Sequence, residues 1–144
     1  MSATKGKSFW DTNLWVYLNA ESQDPSDIVK KAKLQTMLLQ AEEITISAQV
    51  LNELSNVLMK KYGQTEAEVL SRLEALTAQV ELVPLNEGTT FHALGLKANY
   101  KISWFDSLIV TALLQSGCEI LYSEDLHNGV VFENSLKVIN PFMP

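Results

Sequence analysis

Asp11, Glu53, Asp106 and Asp125 are the residues whose types and settings point to chemistry. Asp11 closes the apolar run Ser8, Phe9, Trp10, and Asp125 follows the apolar run Ile120, Leu121, Tyr122. Glu53 lies three residues after Val50 and four before Val57, so it borders the apolar stripe of a helix. Asp106 precedes Ile109, Val110 and Leu113 at helical spacing and shares their face. Each acid alone has an ordinary explanation. Asp11-Thr12-Asn13 is good turn and N-cap sequence, Glu53 can reach solvent, Ser103 to Asp106 has capping-box spacing, and Ser123-Glu124-Asp125 reads as a polar turn. Together the four form a pattern that capping does not predict. If folding gathers them, their charges repel unless a divalent cation neutralises the cluster.

The elements that would position these acids alternate between short apolar runs and helical periods, which argues for α/β architecture with a parallel sheet. Strands are expected at 8–11, 44–46, 81–85, 119–122 and 136–139, with Pro84 pushing the third toward an edge or an early end. Helices are expected at 14–19, 27–40, 47–62, 65–78, 89–100 and 104–116. Ser47 is placed to cap the third of these, and Gly63 and Gly117 stop the third and the last. A polar break at 21–26 contains Pro25. Nothing in the pattern suggests a repeat or a linker, so one domain over 1–144 is expected, with its core at about 8–142. In open α/β sheets, ligands bind outside the carboxyl ends of the strands. Asp11, Ser47 and Asp125 all fall at such ends, and the helix opened by Ser47 carries Glu53.

Composition narrows the class. With 144 residues, 47% hydrophobic and 19% charged, the chain reads as an ordinary globular protein able to bury roughly 70% of its unfolded surface. No apolar run approaches the ~20 residues of a membrane span. Residues 1–7 are polar with two lysines, unlike a secretory signal, and the single cysteine, Cys118, fits a reducing cytoplasm. The net charge of −6, with Arg72 the only arginine, does not announce a nucleic-acid binder. It suits one only if several acids sit in a metal site and the lysines cluster on one face. Lys30, Lys31 and Lys33 form one short group and Lys60-Lys61 another, although a place on a solvated helix face is the better reading of any one of them. Other chemistries fit worse. His92 and His127 lack zinc-site spacing, no phosphate-binding glycine loop or nucleophile elbow is present, and Trp10, Trp15 and Trp104 sit among apolar neighbours that suit a core.

Four segments carry a family likeness: Phe9-Trp10-Asp11-Thr12-Asn13; Glu53 within Val50 to Leu54; Ile102 to Val110 around Asp106; and Leu121 to Asp125. In order, spacing and flanking apolar runs they resemble the PIN-domain ribonucleases, and above all the VapC-type toxins of bacterial toxin–antitoxin pairs, over about 9–142. The resemblance implies a three-layer α/β/α sandwich around a central parallel sheet. It implies a metal-dependent endoribonuclease, with Asp11, Glu53, Asp106 and Asp125 as the acidic quartet that holds Mg2+ or Mn2+. Asn13 and Ser123 would be polar supports; Ser123 stands where the family often has threonine. It also implies an RNA substrate such as transfer RNA, a cognate antitoxin, a homodimer and a cytoplasmic setting.

Two other readings start from the same residues. A PIN-like module could bind RNA or protein without cutting, although four retained acids argue against a retired site. A phosphotransfer domain could be phosphorylated on Asp11, although the spread of the remaining acids and the lack of a supporting lysine motif count against it.

Overall fold

The computed structural model describes residues 6–144; the first five residues of the polar N-terminal segment lie outside the described residues. In chain order the elements are β1 (Lys7–Trp10), α1 (Thr12–Asn19), α2 (Pro25–Gln40), β2 (Glu43–Ile46), α3 (Ala48–Lys60) and α4 (Glu66–Thr77). They continue with β3 (Glu81–Leu82), α5 (Glu87–Tyr100), α6 (Trp104–Gln115), β4 (Ile120–Tyr122), β5 (Val131–Phe132) and β6 (Leu136–Ile139).

The strands form one six-stranded sheet in the order β3-β2-β1-β4-β6-β5. All pairings are parallel except β5 with β6, so the five parallel strands share one carboxyl edge. From β1 the chain builds outward through β2 to β3. It then returns to place β4 on the other side of β1, with Phe9 opposite Leu121. That reversal leaves a crevice at the carboxyl ends of β1 and β4, the place where such sheets bind ligands. Helix α1 packs on α2 and α3, α3 on α4, and α5 on α6, which gives the expected α/β/α layering around the sheet.

A closely packed core lies beneath the crevice. Phe9, Trp10, Leu14, Leu34, Ile46, Leu54, Leu58, Leu113 and Leu121 are fully or almost fully buried. The Trp10 and Trp15 rings stack with centroids 5.4 Å apart. Trp15 Nε1 donates to Trp10 O at 3.0 Å and Trp10 Nε1 donates to Ser8 Oγ at 3.3 Å. A buried indole with its N–H satisfied is a packing residue. Both rings are therefore closed to solvent beneath the end of β1, as their apolar neighbours suggested.

The structure moves several boundaries; at the first helix, for example, Asp11 is the N-cap and α1 starts at Thr12, two residues before the expected 14. Helix α2 starts two residues before the expected 27, because Asp24 caps it by accepting from Ser26 N at 2.8 Å and Pro25 suits the first turn. Helix α5 starts at Glu87 because Asn86 and Thr89 form a reciprocal cap. Strand β3 keeps only two of the expected five residues. Strand β5 was not expected: it forms a hairpin with β6 around Glu133 and Asn134, both at positive φ.

Candidate functional site

Asp11 stands at the junction of β1 and α1. Its N–H donates to Tyr122 O at 3.0 Å, which carries the β1–β4 pairing one residue further. Its side chain also caps α1, Oδ1 accepting from Thr12 N at 2.8 Å, while Oδ2 accepts from Ser123 Oγ at 2.9 Å. Capping and site geometry are thus the same arrangement. Burial pushes the Asp11 carboxyl above its ordinary value; the bonds from Thr12 and Ser123 oppose this, and the charges of Asp125 and Asp106 add to it.

Ser123 is fully buried behind Asp11 and connects two acids. While its hydroxyl donates to Asp11, its oxygen accepts from Asp125 N at 3.1 Å and Leu126 N at 3.3 Å, which shapes the turn after β4. Asn13 Nδ2 donates to Asp125 Oδ2 at 3.1 Å from the first turn of α1. Partial burial raises the Asp125 carboxyl, and the charges of Glu124 and Asp106 push it further up. Asp106 occupies the first turn of α6, where its N–H donates to Ser103 Oγ at 3.1 Å. Across from it Glu53 projects from α3, and its Oε1 accepts from Thr12 Oγ1 at 2.8 Å.

These acids share one cleft of about 450 Å3, lined by Asp11, Glu53, Asp106, Asp125 and Asn13. Ser123 lies behind that surface and reaches it through Asp11. Residues up to 114 positions apart in sequence therefore meet at the carboxyl edge of the sheet. Thr12, Gln49, Asn56 and Phe105 also line the cleft and were not singled out by sequence reasoning. Gln49, Glu53 and Asn56 follow helical spacing on α3, so their common face was there to be read. Thr12 was hidden inside a sequence that already made sense as a turn. His92 is exposed with Nδ1 2.8 Å from Gly88 O, and His127 is exposed as well.

The donor set is oxygen only, which suits a hard divalent cation. Burial is the main cause of the raised Asp11 and Asp125 carboxyls, and repulsion from Asp106 adds a smaller share to both, which a bound cation would relieve. Among the described residues no group of three or more acidic, histidine or cysteine side chains is set closely enough to hold a metal ion by itself. A small cation that keeps much of its water and takes one or two carboxylates directly, as Mg2+ does, fits that openness.

A comparison with curated proteins finds no match to this sequence. Among solved structures, the sarcin–ricin-loop-cleaving toxin VapC20 of Mycobacterium tuberculosis is 18% identical, with a TM-score of 0.64 over 81% of this chain and 88% of that one. A toxin–antitoxin complex from Klebsiella pneumoniae includes a chain 17% identical, with a TM-score of 0.66 over 94% of this chain and 98% of that one. VapBC2 of Rickettsia felis, bound to a DNA fragment from its promoter, contains one 18% identical, with a TM-score of 0.59 over 94% and 100%. At such identities the likeness is one of fold. A family model described as PIN domain matches residues 9–127, which take in all four acids of the cleft. By that match, the chain belongs to the PIN domain family.

Proposed function

We propose that the protein is a metal-dependent endoribonuclease and the toxin half of a toxin–antitoxin pair. The observation that carries the reading is the meeting of Asp11, Glu53, Asp106 and Asp125 in one cleft of a PIN domain. The similar folds of a sarcin–ricin-loop-cleaving toxin and of chains from toxin–antitoxin complexes support it. A cognate antitoxin is the corresponding partner, RNA the substrate, and a homodimer the expected assembly.

Asp11, Asp106 and Asp125 would hold Mg2+ or Mn2+, directly or through water. Such an ion, when bound, lowers the pKa of a water and balances charge on the phosphate and the leaving oxygen. The chain supplies alignment. Ser123 and Thr12 N fix both oxygens of Asp11, so its remaining lone pairs are aimed into the cleft. Asn13 holds one oxygen of Asp125, Oδ2. Glu53 has one oxygen engaged by Thr12 and the other free to orient the attacking water. In-line attack on phosphorus, with departure of the 3′ oxygen, leaves 5′-phosphate and 3′-hydroxyl ends.

The test is incubation of the purified protein with total and transfer RNA, with Mg2+ or Mn2+, with EDTA, and beside Asp106→Asn. Discrete fragments that vanish with EDTA and in the variant are expected. Equal cleavage by a folded Asp106→Asn protein, or none by the metal-loaded wild type on any RNA, would overturn the reading.

A further inference from the structure

We propose that Phe105 is a stacking platform for an unpaired base next to the scissile phosphate, which makes it a substrate-binding residue of the cleft. This deepens the nuclease reading and rests on it. Phe105 is 62% exposed, whereas Trp10, Trp15 and Tyr122 are buried and its neighbour Trp104 is half-buried. It immediately precedes Asp106 in the first turn of α6 and lines the same cleft as the four acids. Ile109, one helical turn later, continues the same wall, and Val57 and Leu126 add apolar surface to the cleft. Acids that would engage a phosphate and an apolar wall ending in an open phenyl ring thus lie within one nucleotide-sized space.

The rest of the lining says why such a platform is needed. Among the described residues no lysine or arginine lines the cleft, and the whole chain carries a net charge of −6. Phosphate attraction from protein cations therefore contributes little there, and most grip beyond the metal must come from the base. Proteins hold unpaired bases by stacking them on aromatic side chains, which tolerates sequence because every base has a π-face. Asn56 and Gln49, on the α3 side of the same space, carry amide groups that pair with base edges, so the platform also provides a place for selectivity. A base must be out of a helix to reach it, so single-stranded or looped RNA is the substrate class.

The experiment measures a short fluorescein-labelled single-stranded RNA of random sequence in two ways. Its affinity is measured by anisotropy on the Asp106→Asn background, and its cleavage by steady-state kinetics in Mn2+. Phe105→Leu, apolar but not aromatic, should raise Kd and KM by roughly ten- to a hundredfold, the usual loss for one stacked base. It should leave kcat and the melting temperature unchanged, since it removes ground-state binding at an exposed position. Phe105→Trp should restore affinity, and a fully paired duplex of the same composition should not respond to either substitution. Unchanged Kd and KM in Phe105→Leu, with cleavage intact, would overturn the platform and leave the nuclease standing. Phe105-dependent RNA binding by a wild type that never cuts would keep the platform and remove the nuclease. Neither binding nor cleavage would remove both.

Discussion

Ser123 Oγ serves three polar atoms at once, donating to Asp11 Oδ2 and accepting from the amides of Asp125 and Leu126. Ser123→Ala would leave buried amides without a partner at a cost of about 1–3 kcal/mol and free Asp11 to rotate. The expected outcome is a lower unfolding midpoint in urea together with weakened cleavage. Ser123→Thr keeps the hydroxyl and should retain most activity, so assaying the two side by side separates loss of the bond from loss of the fold. Asp11 also shows why single residues are hard to read in a sequence. It is an N-cap and an acid of the cleft, and the first role fully accounts for its identity.

At the scale of elements, the turn after β4 is tied to two helices through Glu124. Lys30 Nζ of α2 donates to Glu124 Oε2 at 2.9 Å and to Tyr17 OH at 3.2 Å, and the Tyr17 hydroxyl of α1 donates to Glu124 Oε1. The hydrogen bond to Glu124 raises Lys30, and burial, then the bond to Glu124, raises Tyr17. For groups raised on folding, the stabilisation is complete below their ordinary values of 10.5 and 10.0 and is lost as pH climbs through the higher folded ones. Wild type should therefore lose more stability than Lys30→Met between pH 8 and 11, read as the shift of the urea midpoint. Equal losses would show that the network contributes nothing.

Much of this scale was legible in the sequence. The central strands, α3 with its Ser47 cap and α6 with its Gly117 stop follow from apolar period and cap chemistry, and so does the meeting of strand ends that makes the cleft. Strand β5 was not legible. It has two residues, too few for any period, and its turn uses Glu133 and Asn134 at positive φ in place of the glycine that would have marked a hairpin. Tyr100 accepts from Glu133 N at 3.0 Å and donates to Glu133 Oε2 at 3.1 Å, so that turn is held by tertiary contact and not by local preference. The early start of α2 was readable from Asp24-Pro25, but the surrounding polar run concealed it.

For the molecule as a whole, the acids of the cleft keep a repulsion that a cation would remove. Adding Mn2+ at neutral pH should raise the melting temperature, by about 2.7 kcal/mol of added stability at a hundredfold excess over its Kd. Asp11→Asn should show little of that rise, and scanning calorimetry with and without the metal checks it. Among the described residues three lysines are engaged elsewhere: Lys30 with Glu124, Lys31 Nζ with Ala20 O at 3.3 Å, and Lys7 with Glu81 at 3.3 Å. Among the described residues no lysine lines the cleft itself. Affinity for single-stranded RNA should fall less than roughly tenfold between 50 and 200 mM salt, since few phosphates are neutralised by side chains. A steep slope in anisotropy titrations would point to Lys33, Lys60 or Lys61 outside it.

The sheet order has a consequence in time. Strand β1 is held between β2 and β4, and Ser8 waits for Ile120, more than a hundred residues later, before its second ladder can close. At 5–20 residues per second of synthesis, roughly 5–20 s separate the two strands as they emerge. During that interval Asp11 exists without Ser123, Asp125 or the α6 wall. A growing chain therefore carries no assembled cleft beside the ribosome that makes it. Whatever the finished cleft does begins only once β4 and the turn beyond it have docked.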